Sequence, residues 1–383
     1  MKILHVVASY LPARRYGGTI VSVHGLCAAL AARGHDVHVF TTSVDGAADS
    51  DVPHGQPVTI DGVKVWYFRS PFLRRIYRAP ELGAALDRDT RQFDVVHTHA
   101  VFLWPLWRAA RAAARAGVPY VVSPRGMMEE GLIRQKSPVL KSLWIAAIER
   151  RNLEGAHAIH VTSPREAEEL ESFGFSLPSV VEIPNGVDEA PQPAPALSAD
   201  LKAMVGEEPF ALFLGRIEWK KGLDRLIDAM SLAPGVKLVI AGNDEHGYQR
   251  FLEARAIGRG VRDRVQFVGP VFGADKHALL ATARVLALTS YSENFGNVVL
   301  EALSNSCPVL LTQEVGLAPA VALAEVGEVV EGRAVAIAPA LERMMADDAG
   351  TAAMRRRGRA FAATYSWPEV AARMEQLYRK TSR

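Results

Sequence analysis

The sequence predicts an α/β protein made of two Rossmann-like, doubly wound domains facing each other across a cleft. Three observations carry this. Short β-branched apolar runs alternate with helix-length amphipathic segments from the first residues onward, which is the pattern of βαβ units on a largely parallel sheet. That rhythm is broken once, by a proline-rich stretch without periodicity, and then restarts. A chain of 383 residues also exceeds what one ordinary hydrophobic core organises.

In the first half, "ILHVVAS" (3–9), "DVHVFTT" (36–42), "VKVWYF" (63–68), "DVVHT" (94–98), "YVVS" (120–123) and "AIHVT" (158–162) read as strands buried on both faces. Helix-length segments at 20–33, 102–116, 138–153 and 165–173 lie between them. "EAPQPAPALSAD" (189–200) begins a linker spanning 189–203. The second domain, 204–365, has strands at "FALFLG" (210–215), "VKLVIAG" (236–242), "RVQFVG" (264–269), "VLALT" (285–289) and "PVLLT" (308–312). The first domain is 1–188. Residues 366–383 form a terminal amphipathic helix, opened by Pro368, that is expected to pack back towards the first domain.

Composition excludes several classes. A net charge of +2 argues against a dedicated nucleic-acid binder, and no apolar run is long enough to span a bilayer. Cys27 and Cys307 offer neither a disulfide framework nor metal-ligand spacing. "MKILHVVAS" reads as a first strand rather than a secretory leader, so a cytoplasmic location is expected. The first βα turn lacks G-x-G-x-x-G, which disfavours a dinucleotide-dependent dehydrogenase. A periplasmic-type sugar-binding protein is disfavoured by the missing leader and by the Arg216/Lys221 pair.

Chemistry concentrates in two stretches of the second half. In "LGRIEWKKGLDRLIDAM" (214–230), a strand ends in Gly215 and is followed by Arg216 and Lys221 before a helix starting near Leu223. Cations and helix N-terminal N–H groups converge there, a setting suited to a diphosphate; Lys220 reads as solvated. In "TSYSENFGNVVLEAL" (289–303), a turn of Glu293, Asn294, Phe295 and Gly296 leads into a helix from about Asn297. Glycine admits close ligand approach, and free N–H groups at a helix start suit phosphate or sugar oxygens. Glu301, more than a turn inside, can bond vicinal hydroxyls such as a ribose's, or can be an ordinary exposed helix charge. In the first half, His97 and His99 share a face of one strand. A zinc pair is conceivable, but no third or fourth ligand is evident. The triplets Asp49-Ser50-Asp51 and Asp87-Arg88-Asp89 do not follow buried strands and read as solvated charge.

Taken in order, these motifs resemble the retaining glycosyltransferase family 4 on a GT-B fold. The resemblance rests on Gly215-Arg216, Lys221-Gly222, and Glu293 and Glu301 around Phe295-Gly296. It extends to "YLPARRYGG" (10–18), "VVHTHA" (95–100), "SPRGMMEEGL" (123–132), "IPNGVD" (183–188) and "YSW" (365–367). It implies that Arg216 and Lys221 hold a donor diphosphate and that Glu301 holds the ribose. Glu293 would approach the transferred sugar, with Asn294, Phe295 and Gly296 presenting N–H groups and Asn297 opening the donor-binding helix. Gly17 and Gly18 would close over the donor phosphates, and His99 would match a histidine near sugar and acceptor. Arg125 replaces a histidine of many relatives and would face the donor phosphate or an anionic acceptor. Ser306 stands where relatives carry glycine.

The expected reaction is metal-independent, retaining transfer of a hexose-type sugar from a nucleoside-diphosphate sugar to a glycan or lipid-linked oligosaccharide. No cofactor is expected, and nucleic acid is not an expected partner. An epimerase or a phosphorylase on the same fold is the alternative enzyme. "SPFLRRIYR" (70–78) and "LWRAARAAAR" (106–115) mix aromatic and basic residues, so an anionic membrane surface is a further expected partner.

Overall fold

The computed structural model describes residues 1–13, 17–129, 131, 133, 138–346 and 349–381. Its contacts divide the chain into two compact units: Met1–Gly186 with Trp367–Arg383, and Val187–Ser366.

The first unit contains β1 (Lys2–Ser9), β2 (Asp36–Thr42), β3 (Val44–Asp45), β4 (Ala48–Asp49), β5 (Val58–Ile60), β6 (Val63–Phe68), β7 (Val95–His99), β8 (Tyr120–Ser123), β9 (Ala158–Val161) and β10 (Val180–Glu182). Its eight-stranded sheet runs β10-β9-β8-β7-β1-β2-β6-β5, while β3 and β4 form a separate hairpin. Only the edge strand β5 pairs antiparallel in this sheet, against β6. Both faces are buried. Leu4, Val6 and Val96 belong to one apolar core, and Ile3, Val7 and Val95 belong to the other. The continuous apolar runs in the sequence follow from this double burial.

The second unit contains β11 (Ala211–Leu214), β12 (Leu238–Ala241), β13 (Val265–Gly269), β14 (Val285–Leu288), β15 (Val309–Thr312) and β16 (Gly327–Val330). They pair in parallel in the order β13-β12-β11-β14-β15-β16. Winding runs outward from β11 to one side and then jumps back to β14, which leaves a topological switch point between those two strands.

Several boundaries differ from the sequence reading. Residues 138–153 are not one α-helix: Pro138–Trp144 and Arg150–Glu154 flank a π-helical turn, Ile145–Glu149. Glu149 is buried there and accepts the Phe102 N–H at 2.7 Å and the Trp144 indole N–H at 2.8 Å. The 189–203 linker already contains the start of a helix, Ala199–Val205. Ser198 caps it by accepting the Leu201 N–H, and Leu201 and Val205 anchor it in the second core. The edge strands β5, β10 and β16 pair on one side only, and such short strands carry a weaker apolar signal than central ones.

The helix Trp367–Thr381 lies in the first unit against the helix Gly18–Ala32, burying Val370, Met374, Leu377 and Tyr378. The Trp367 ring fills a slot between two glycines. A Cβ at Gly25 or at Gly186 would stand 2.3 Å from the indole. The "YSW" stretch therefore ends on a packing wedge.

Ser306 adopts φ 61°, the left-handed conformation that glycine enters most easily. A side chain there costs about 1–2 kcal/mol, partly offset in a glycine variant by about 0.5–1 kcal/mol of chain entropy. Ser306→Gly should therefore raise the melting temperature by about 1–2 °C. A lowered midpoint would refute the strain.

Parallel register also builds a buried imidazole cluster. β1 and β7 place His5 opposite His97 and Val7 opposite His99, and alternate residues share a face. The rings of His5 and His99 stack at 5.2 Å, His97 lies 4.1 Å from His99, and His160 joins from β9 at 5.4 Å from His97. The Tyr378 hydroxyl reaches His97 Nδ1 at 2.6 Å. Burial and, after it, the nearby Arg125 charge depress His5 and His160 from 6.5 to about 3. Burial and then neighbouring imidazoles drive His97 and His99 well below 6.5. Folded-state values below the unfolded value mean that stability is intact above pH 6.5 and is lost as pH falls from there towards 3. Each imidazole contributes up to about 1.4 kcal/mol per pH unit in that window. Thermal midpoints should fall steeply between pH 7 and pH 5; a flat profile would show that the cluster protonates while folded.

Candidate active site

In the second unit, β11 and β14 end side by side at the switch point, and their loops are stapled together. Gly215 leaves β11, and its N–H bonds the Ala241 carbonyl of β12 at 3.0 Å. The following segment turns through the short 3₁₀ helix Trp219–Lys221 into the helix Leu223–Met230. At Gly222 this segment presses on the end of β14. A Cβ there would stand 1.9 Å from the Thr289 carbonyl oxygen, and the Thr289 hydroxyl bonds the Gly222 carbonyl at 2.9 Å. The Tyr291 N–H donates to the Lys220 carbonyl at 2.8 Å.

This stapling brings Lys221 and Glu293 together. The Lys221 ammonium donates to the Glu293 carboxylate, with both side chains mostly buried. The Glu293 backbone is held from the other side, because its N–H donates to the Glu314 carbonyl at 3.1 Å and its carbonyl accepts from Gly316 at 2.8 Å. Phe295 is buried in the core and anchors the turn. Gly296, at φ 93°, is the N-cap of the helix Asn297–Ser304, and no side chain caps that helix. An N-terminus without a side-chain cap favours an anion.

The remaining charges take separate partners. Arg216 is half-exposed, with a guanidinium nitrogen 3.2 Å from Glu218. Glu301 is not a lone exposed helix charge: it pairs at 2.8 Å with Lys276, a partner that no spacing along the chain signals. Asn294 and Asn297 flank the Phe295-Gly296 corner. Each glutamate thus has its own cation, so the two carboxylates do not form an acid/base couple.

In the first unit, Gly17, at φ 78°, is the N-cap of the helix Gly18–Ala32, again without a side-chain cap, and Gly18 is its first residue. His99 ends β7 and is fully buried. Arg125 turns its guanidinium inward, donating to Asn185 Oδ1 at 2.7 Å and to His99 Nδ1 at 3.1 Å. Arginine only donates, so His99 Nδ1 carries the lone pair and Nε2 carries the hydrogen. His99 Nε2 in turn donates to His5 Nδ1 at 2.9 Å. Both ring nitrogens of His99 are therefore engaged in the interior.

His5 corrects the sequence reading that no third imidazole accompanies His97 and His99: candidate ligand atoms of all three lie within 4.8 Å of one another. The donor set suits a divalent ion poorly. Arg125 and His5 already occupy both ring nitrogens of His99, and the Arg125 cation would stand beside the ion.

The basic stretches are partly consumed by the fold. Arg74 bonds Asp49 and the Ala48 carbonyl, and Arg108 bonds Asp87. Asp89 bonds Arg88. Both aspartate triplets are thus engaged with arginines. Phe72 and Leu73 remain exposed, with Arg78 over the Phe72 ring at 4.1 Å. Among the described residues no helix is long and apolar enough to cross a membrane.

Comparison with known proteins follows the same division of the chain. Residues 17–186 match the model of the glycosyl transferase 4-like domain, and residues 202–361 match that of glycosyl transferases group 1. The chain is 30% identical to a D-inositol 3-phosphate glycosyltransferase of Xylanimonas cellulosilytica, over 96% of this chain and 92% of the relative. It is 31% identical to a glycogen synthase of Mycobacterium tuberculosis, over 99% and 94% of the two chains. Among solved structures, the sucrose-phosphate synthase of Thermosynechococcus elongatus superposes with a TM-score of 0.78 at 24% identity, covering 99% of both chains. Anabaena HepE in complex with UDP-glucose superposes at 0.75 with 20% identity, covering 99% of this chain and 100% of that one. With both domain models matched along the chain and full-length relatives at this identity, the protein is a GT-B glycosyltransferase of the family 4, group 1 type.

Proposed function

We propose that the protein transfers a hexose-type sugar, with retention and without a metal ion, from a nucleoside-diphosphate sugar to a glycan or lipid-linked acceptor in polysaccharide or glycoconjugate assembly. The observation that carries this is the Lys221–Glu293 pair, set by two stapled loops at a switch point and next to a helix N-terminus. That cluster suits a sugar joined to a diphosphate, because a cation for the leaving group and a carboxylate for the sugar stand in contact. Relatives named for glycosyl transfer, and a structural neighbour crystallised with UDP-glucose, support the donor class.

In this reading Lys221 and Arg216 neutralise the diphosphate, assisted by the N-terminus of the helix Asn297–Ser304. Glu301, held by Lys276, takes the ribose hydroxyls. Negative charge grows on the leaving phosphate oxygen as the C1–O bond breaks, and preorganised cations stabilise that charge more than the ground state. Two cations in fixed places can do what a divalent ion does elsewhere. The acceptor hydroxyl attacks C1 from the face the diphosphate leaves, forming the new C1–O bond. Its proton passes to the departing phosphate oxygen. While the C1–phosphate bond breaks, before the new bond is complete, Glu293 acts on the sugar by contact or by stabilising the positive charge at C1. Acceptor binding is assigned to the first unit, where His99, fully buried with both nitrogens engaged, supports the fold rather than acting as a base, and Arg125 fixes its orientation. Gly17 and Gly18 open an N-terminus suited to phosphate oxygens.

The test is a thermal-shift panel of UDP-, GDP- and ADP-glucose, followed by turnover of two variants with the donor that binds. A donor at about 100 times its dissociation constant should add about 2.7 kcal/mol of stability. Lys221→Ala and Glu293→Ala should each lower kcat by about 100-fold or more while the apo melting temperature moves by only a few degrees. Near-normal turnover in either would sink the assignment.

We also propose that the Phe72–Arg78 stretch meets an anionic membrane surface, since exposed Phe72 and Leu73 lie among arginines. Co-sedimentation with phosphatidylglycerol vesicles at low salt should be lost in a Phe72→Ser/Leu73→Ser variant. Absence of binding by the unaltered protein would rule this out.

A further inference from the structure

Arg225 lies in the 214–230 stretch, beyond the Arg216 and Lys221 assigned to the diphosphate, and packs against the turn that leads to Glu293. It lies on the helix Leu223–Met230, and its guanidinium carbon stands 3.6 Å from the centre of the Tyr291 ring. One guanidinium nitrogen reaches the Ser290 carbonyl at 3.4 Å and Glu314 at 3.5 Å. The same Ser290 carbonyl accepts the Thr312 hydroxyl at 2.9 Å. Tyr291 is held at its other end, where its hydroxyl donates to Asp224 at 2.7 Å.

Asp224 and Arg225 are adjacent on one helix and grip the ring by its edge and its face. Tyr291 lies two residues before Glu293, and its N–H is bonded to the carbonyl of Lys220, the neighbour of Lys221. Arg225 also touches Glu314, whose carbonyl receives the Glu293 N–H. Arg225 therefore contacts the Ser290–Tyr291 approach to Glu293 and the Glu314 that bonds the Glu293 N–H, while Gly316 and buried Phe295 hold the other side of the turn. A lysine could supply the charge but not the flat face that lies on the ring.

The glycine at 332 shows how closely the third loop is fitted. A Cβ there would stand 2.2 Å from an Arg225 guanidinium nitrogen and 3.1 Å from a Glu314 carboxylate oxygen. The obstructing atoms are side-chain ends, so an alanine displaces Arg225 without breaking backbone.

We propose that Arg225 is a positioning residue for this glycosyltransferase: by clamping Tyr291 it sets the 290–293 turn and holds Glu293 against Lys221 in the geometry the transfer step needs. The inference rests on the donor-site reading above. A displaced turn misplaces Glu293, and small misplacements of a reacting group cost rate more than binding.

The experiment compares Arg225→Met, Arg225→Lys and Gly332→Ala in the full chain. Amide hydrogen exchange is followed without ligand, and kinetics use whichever of UDP-, GDP- or ADP-glucose the protein turns over. Arg225→Met and Gly332→Ala should each speed exchange at the Tyr291 and Glu293 amides by about 10-fold or more and lower kcat by about 10–100-fold. The donor KM should stay within about 3-fold, and Arg225→Lys should fall between the unaltered protein and Arg225→Met. Gly332→Ala leaves Arg225 in the chain, so agreement between it and Arg225→Met separates positioning from a folding defect. Unchanged exchange and kcat would overturn the proposal. So would a raised donor KM at constant kcat, which would make Arg225 a direct donor ligand. If Lys221→Ala and Glu293→Ala also keep full turnover, the donor-site reading itself falls, a failure recognised from those two variants and not from Arg225.

Discussion

Parallel pairing of β11 with β14 is the constraint on which the candidate active site depends. Parallel strands all point their carboxyl ends to the same edge of the sheet, and the jump in winding order leaves these two ends adjacent with no crossover helix between them. The loop carrying Lys221 and the loop carrying Glu293 must therefore share one small space. Gly222 lets them touch, and hydrogen bonds from Thr289 and Tyr291 hold them in register. The ion pair is a consequence of this closeness.

Charge is handled differently in the two units. In the second, cations and carboxylates meet in matched pairs that keep partial access to water, a setting in which a bound anion can exchange partners at modest cost. In the first, the four imidazoles of the buried cluster, His5, His97, His99 and His160, are kept neutral by burial, and Arg125 supplies the local positive charge. A neutral stack with its tautomer dictated by arginine is rigid and unreactive. The first unit is thus built to hold shape, and the second to meet charge.

The glycosyltransferase assignment and the local geometry support each other without being the same claim. Family membership follows from similarity along the whole chain. Which residues meet the donor is argued from the switch point, from the helix starting at Asn297, and from the partners each charge takes. Arg225 belongs only to the second kind of argument: its place in the 214–230 stretch assigns it no role, and its importance comes from what it touches.

Much of the fold was legible in the sequence, because strands buried on both faces leave continuous β-branched runs and the central strands carry most of that apolar surface. The positions of Arg216, Lys221, Glu293 and Gly296 were legible too, since loop residues directly after buried strands lie at the active edge of a doubly wound sheet. Short edge strands, the π-helical turn at Ile145–Glu149 and the helix inside the proposed linker were not, because one-sided pairing and single turns leave little periodicity. Partners were the least legible. His5 meets His99 across 94 residues, and Arg225 meets Ser290 across 65. By itself the sequence determined the strand-and-loop order, the kinds of charge placed at strand ends and the family. Only the tertiary structure decided which charge faces which, which tautomer His99 holds and what clamps Tyr291, because strand register and lateral packing, not spacing along the chain, choose the neighbours of a side chain.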